Sequence, residues 1–247
     1  MSITMDRAKE LQRRDASPGS GITDTVLLAS GVLYALAYAV VNDLVAATLY
    51  DGYSRMSQAV SELSATGAPT RSFLTAMLPL FTALMIAFGI GVWRSARGRR
   101  ALRATGGLLV AHGVSFSLWL LAPMSSREDM VEGTMPANDL GHIVLTDVTI
   151  LLILGEIGFG AAALGARFRR YSLATAATVL VFGALTGVEA AKVPAGDPTP
   201  WMGLVERISI GAWLLWIAVL AVALLRRRRD AEEVTVPHTP GELGEAA

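Results

Sequence analysis

The stretch that decides the fold runs from Met202 to Arg229, MGLVERISIGAWLLWIAVLAVALLRRRR. A helix needs about 20 predominantly apolar residues to cross a hydrocarbon core of roughly 30 Å. This run has that length, and it closes on Arg226, Arg227, Arg228 and Arg229. Basic residues are retained on the cytoplasmic side of a membrane, so the stretch reads as a span whose C-terminal end is cytoplasmic. The four arginines act there as a stop-transfer anchor and sit well against anionic headgroups.

Five similar blocks precede it. Their expected bounds are Asp24 to Thr48, Ser72 to Trp93, Ala101 to Ala122, Leu140 to Leu164 and Ser172 to Ala190, with the sixth from Met202 to Leu225. The composition agrees: 53% of the 247 residues are hydrophobic, 17% are charged, and mean hydropathy is +0.48. Soluble domains carry about 25% charged residues. Only helices and closed barrels satisfy their own backbone groups in lipid, and no alternating pattern points to a barrel. The fold class expected is therefore an all-α, polytopic bundle of six transmembrane helices. The first block is too long for a signal-peptide core and reads as a retained span.

Basic residues alternate from loop to loop. One side holds Arg7, Lys9, Arg13, Arg14, Arg94, Arg97, Arg99, Arg100, Arg103, Arg167, Arg169, Arg170 and the four arginines after the sixth span. The other side holds Arg55, Arg71, Arg127, Lys192 and Arg207. Sixteen against five places both termini in the cytoplasm of a multi-pass cell-membrane protein. The expected organisation is a polar tail at 1–23, a membrane domain at 24–226 and a disordered tail at 227–247.

The formal net charge is zero, so the total charge points to no nucleic-acid partner. The lipid bilayer is the partner implied, with room for an oligomer or a second membrane protein. There is no cysteine, which excludes disulfides, thiolate metal sites and cysteine nucleophiles. No P-loop, dinucleotide fingerprint or nucleophile elbow occurs, and no cofactor is called for.

The outer loops carry the unusual residues. In the first, Met56, Val60 and Leu63 recur at helical spacing, with Arg55, Gln58 and Glu62 opposite. Ser54 is placed to cap a helix and Gly67 and Pro69 to stop it, which predicts a short amphipathic helix lying on the outer membrane surface or folding over the bundle. The second outer loop is acidic, and Asp139 is placed to cap the fourth span.

Ionisable residues inside spans are costly and mark functional candidates. At about 1.5 Å per residue, Asp43 lies within two turns of the outer end of its span, and His142, Glu189, Glu206 and Arg207 within one turn of theirs. Asp147 is roughly 10 Å deep, His112 roughly 15 Å, and Glu156 deeper still. The concentration in the outer half predicts a polar cavity open to the outside. At about 100° per residue, Thr105, His112, Ser115 and Trp119 share one stripe, and His142, Thr149 and Glu156 share another. Asp147 is turned roughly 140° from His142, so a metal held by His112, His142 and Asp147 needs several helices to converge.

Three motifs carry a resemblance. Ser57-Gln58-Ala59-Val60-Ser61-Glu62-Leu63 followed by Gly67-Ala68-Pro69 is the first. Pro123-Met124 leading to His142 is the second, and Gly203-Leu204-Val205-Glu206-Arg207-Ile208 is the third. In this order they resemble an uncharacterised bacterial six-helix membrane family catalogued as domain of unknown function 998. The resemblance implies the fold and the membrane location, marks Ser61, Glu62, His142, Glu206 and Arg207, and implies no reaction.

Three functions follow as expectations. The first is binding or transport of a lipid or small polar solute at an outward-facing site that includes Asp43, Ser61, Glu62, His112, His142, Asp147, Glu189, Glu206 and Arg207. The second is an intramembrane metal-dependent lipid hydrolase, and the third is an accessory protein without chemistry of its own.

Overall fold

The computed structural model describes residues 18–133 and 137–235. The basic N-terminal residues up to Arg14 and the tail beyond Thr235 lie outside the described residues. Every regular element among those described is helical: α1 Pro18–Ala39, α2 Arg71–Arg94, α3 Arg100–Ser115, the short α4 Arg127–Val131, α5 Ala137–Ala163, α6 Ala166–Ala190 and α7 Met202–Thr235.

The six long helices form a closed ring. Each packs on the next in the chain, and α7 returns to pack on α1. Asp24 near the start of α1 accepts Arg94 from the end of α2 at 2.5 Å and Arg228 from α7 at 2.8 Å. The beginning of α1 and the end of α7 therefore meet at one end, the arginine-rich end. The loop end lies opposite.

Close approach of the helices depends on glycine. A Cβ on Gly89 of α2 would stand 2.7 Å from the Val110 amide nitrogen, and one on Gly106 of α3 would stand 2.6 Å from that of Trp93. Small residues bring backbones together where there is no hydrophobic drive between helices. The core is built on Tyr34, Phe88, Leu109, Ile157 and Trp216, each essentially inaccessible. The outside is apolar too, with Leu151 69% and Val188 61% exposed, as a lipid-facing wall requires.

Among the described residues, five helical stretches are long and apolar enough to cross a membrane: Gly21–Leu49, Arg71–Arg94, Asp139–Ala163, Ala166–Ala195 and Met202–Glu233. The third expected span differs. Its α-helix stops at Ser115 and tightens into a 3-10 segment, Phe116–Leu120. One further boundary moves, and one helix changes type. Helix α7 continues to Thr235, so residues 227–235 are helical where the sequence places the start of a disordered tail. Helix α1 passes into a π-helical segment, Val40–Ala46, before a last α turn to Leu49. Asn42 supports the widened turn by donating to the Tyr38 carbonyl at 3.0 Å.

The amphipathic helix expected in the first outer loop is instead a run of turns ending in a 3-10 segment, Val60–Ser64. Ser54 does cap a turn, accepting from the Ser57 amide at 3.3 Å. Val60 and Leu63 are buried and Met56 is exposed. Glu62, expected on the polar outer side, is buried, because its carboxylate is drawn inward by three donors.

Candidate functional site

At the loop end, α7 enters beneath the loop that joins α1 to α2. Gly203 passes under the backbone of that loop, where any Cβ would run into the Arg55 and Gln58 carbonyls. One turn on, Arg207 points up into the same segment. Its Nε donates to Asp43 Oδ1 at 2.6 Å, its Nη1 to the Arg55 carbonyl at 2.9 Å, and its Nη2 to the Tyr53 hydroxyl at 2.8 Å. Tyr53 donates in turn to the Ala59 carbonyl at 2.8 Å, and partial burial pushes its phenol up to about 12. Glu206 accepts the Val60 amide at 2.5 Å. Two adjacent charged residues of α7 thus clamp one loop from below, one by its carbonyls and one by an amide.

Asp43 lies in the π-helical segment of α1. Such widened turns are frequent at functional sites. Its backbone carbonyl also takes both Nε and Nη2 of Arg55, at 2.9 and 2.6 Å.

From above, Glu62 holds a second clamp. It accepts Arg127 Nη2 at 2.7 Å and Nε at 3.1 Å, the Ala59 amide at 2.9 Å and Gln58 Nε2 at 3.0 Å. Arg127, at the start of α4, donates further to Thr199 Oγ1 at 2.9 Å, tying in the loop between α6 and α7. The Glu62 hydrogen bonds, against the opposing effect of burial, raise the Arg127 pKa above its ordinary value. Ser61 donates weakly to Met124 Sδ at 3.4 Å, which links the first two motifs.

A cavity of about 270 Å³ opens over this frame, lined by Tyr50, Gln58, Glu62, Thr66, Arg127, Glu128 and Asp129, among others. Glu62 and Arg127 are consumed by each other. Glu128 and Asp129 are exposed, and among the described residues neither carboxylate forms an ion pair. Tyr50 lines the same cavity, its ring stacked on Tyr53 at 5.7 Å between centroids.

The remaining sequence candidates are scattered. His112 on α3 meets Glu156 on α5 at 2.8 Å, sealed in the core. Glu156 also accepts Trp213 Nε1 at 3.0 Å, and the His112 ring lies between Trp213 and Phe116. This is a closed polar brace rather than part of an open cavity. His142 is paired by Nδ1 with the Ala122 carbonyl at 3.1 Å and sits edge-on to Trp119. Glu189 pairs with Lys192. Asp139, expected to cap the fourth span, lies inside α5 and takes the Ser125 amide at 2.7 Å, so it ties down the approach loop.

Asp147 is exposed on the outer wall of α5, in a stripe with Leu140, Ile143, Val144, Val148 and Leu151. It joins none of these groups. His112, His142 and Asp147 do not converge, and among the described residues no three His, Asp or Glu side chains gather to hold a metal ion. The polar cavity expected within the outer half of the membrane is thus divided into a loop layer, a sealed brace and separate single residues.

The model of a family described as "Protein of unknown function (DUF998)" matches residues 16–223. The chain belongs to that family. The match takes in all three motifs, and in this member the first and third are the two sides of the α7 clamp. No curated protein and no solved structure matches the chain. The residues that sequence reasoning missed include Tyr50, Tyr53, Arg127, Glu128, Asp129, Thr199, Gly203 and Trp213. Gly203 carried a visible signal, since it opens the Glu206-Arg207 motif, and Glu128 and Asp129 lay in a loop marked as acidic.

Proposed function

We propose that this family member is a cell-membrane protein of six spans, with both termini cytoplasmic, whose outward loop layer binds the polar head of a lipid or a small polar solute through a cationic group. Six passes are supported by the closed ring. They are also supported by the length of α3 with its 3-10 extension, about 34 Å for residues 100–120 at ordinary helical rises. The charge alternation supports the orientation.

The observation that carries the binding reading is the pair Glu128 and Asp129 over a frame whose other charges are already satisfied. Two free carboxylates beside an aromatic ring favour an ammonium group by charge and by cation–π attraction. The frame fixes the pocket walls, so little ordering is needed on binding. Transfer of a bound group through the interior of the ring would require the His112–Glu156 brace to open, so binding is the primary reading.

The test is thermal stabilisation of the purified protein by ethanolamine, choline and phosphatidylethanolamine. Stabilisation that disappears in E128Q/D129N supports the proposal. Its absence in the wild type, or its persistence in the double variant, overturns it.

A second reading, packing against a membrane partner, is favoured by Asp147. A carboxylate on a lipid-facing wall is expensive and is usually satisfied by a neighbouring helix. Loss of a cross-linked complex in D147L, with normal expression, supports this reading.

A further inference from the structure

At the arginine-rich end, three separate parts of the chain converge on one concavity. The end of α2 and the turn after it supply Arg94, Arg97 and Arg99, the end of α7 supplies Arg227 and Arg228, and α1 supplies Asp24. The cavity measures about 300 Å³. Five guanidinium groups face one carboxylate, a formal excess of four positive charges. Glu232, the other acid in contact, pairs with Arg228 at 3.0 Å on its exposed side.

The arginines are only partly occupied. Arg94 and Arg228 share Asp24. Arg227 donates through Nη2 to the Leu164 carbonyl at 2.8 Å, and Arg99 reaches the Ala96 and Ser95 carbonyls at 3.3 and 3.4 Å. Arg97 makes no hydrogen bond or ion pair among the described residues and is held at a φ of 42°, a conformation that a residue with a Cβ adopts at a cost. Each guanidinium has five N–H donors in a planar fork, so most donors in the cavity remain free. Partial burial, and after it the neighbouring charges of Arg227 and Arg97, lower the Arg99 pKa below its ordinary value.

A plain positive-inside loop needs no such convergence, because arginines spread along loops satisfy that rule equally well. Arg167, Arg169 and Arg170 on the α6 side are of that kind, exposed and outside the cavity. Planar forks gathered around a concavity match the oxygens of a phosphate, which accepts paired N–H donors.

We propose that this cavity is a binding site for a phosphate-bearing anion, either the headgroup of an anionic phospholipid or a soluble phosphate monoester. It is separate from the cation-binding loop layer and does not depend on it.

The test uses the full chain in phosphatidylcholine nanodiscs, with and without phosphatidylglycerol, and the same phosphatidylcholine discs titrated with glycerol phosphate. Wild type, R97Q/R99Q and the control R167Q/R169Q are compared by native mass spectrometry and thermal shift. Each arginine near an anionic group is worth about fivefold in affinity, so R97Q/R99Q should bind about thirtyfold more weakly while the control binds as wild type does. Selective retention of phosphatidylglycerol without a response to glycerol phosphate identifies a lipid headgroup. A response to glycerol phosphate in phosphatidylcholine discs identifies a soluble phosphate. Equal losses in R97Q/R99Q and the control would reduce the effect to diffuse surface charge and overturn the proposal, as would no binding of either probe.

Discussion

Replacing Glu62 with alanine takes the acceptor away from Arg127, Gln58 Nε2 and the Ala59 amide at once. Breaking a buried ion pair from one side costs about 3–5 kcal/mol, because the remaining charge is stranded. The Arg127 side chain keeps 27% of its surface accessible and can recover some solvation, so the loss for Glu62→Ala falls at about 3 kcal/mol. Arg127→Ala strands Glu62, whose side chain is only 6% accessible, and should cost as much or more. If the two act as one clamp, the double variant costs less than the sum of the single variants by about 1.5–3 kcal/mol. A double-mutant cycle by reversible unfolding in mixed micelles measures that coupling. Additivity within about 0.5 kcal/mol would refute the clamp and with it the fixed wall of the loop-end pocket.

Gly203→Ala should destabilise by about 1–3 kcal/mol, since its Cβ must displace the backbone of residues 55 and 58; unfolding of the variant beside G211A, which meets open space, checks it. Asp147→Leu should favour membrane insertion of the α5 segment by about 3 kcal/mol, read in a translocon insertion assay, because it removes a carboxylate from the lipid-facing wall. Tyr53 should make stability fall with alkali. Its folded pKa of about 12 exceeds the unfolded value of 10.0, so the folded state holds the proton longer. Its contribution is complete below pH 10 and is lost as pH rises through 12, and Tyr53→Phe should flatten that limb of the unfolding curve.

Much of this was legible in the sequence. The length of each apolar block anticipated the succession of helices. The phases of α3 and α5 each put His112 and Glu156 on a polar stripe, and those stripes face each other. Asp147 was not legible. A span that is apolar all round has a core face and a lipid face of the same chemistry, so its phase does not say which side a lone carboxylate takes. The amphipathic spacing of residues 54–65 was real, but isolated short helices are weak and tertiary partners prevailed. Glu62 was pulled under the loop by Arg127, 65 positions away. The π-helical turn that carries Asp43 leaves no mark in composition, and the convergence of arginines from α2 and α7 appears only once the ring has closed.

With the six spans proposed, the two proposed binding sites fall on opposite faces of one membrane, and the absence of native cysteine makes that directly measurable. E128C and R97C, each the only thiol in its chain, would be treated in intact cells with a membrane-impermeant maleimide. Labelling of E128C in intact cells, with R97C labelled only after permeabilisation, is the result expected of six spans with the loop layer outside. The reverse pattern, or both sites labelled from the same side, would contradict it.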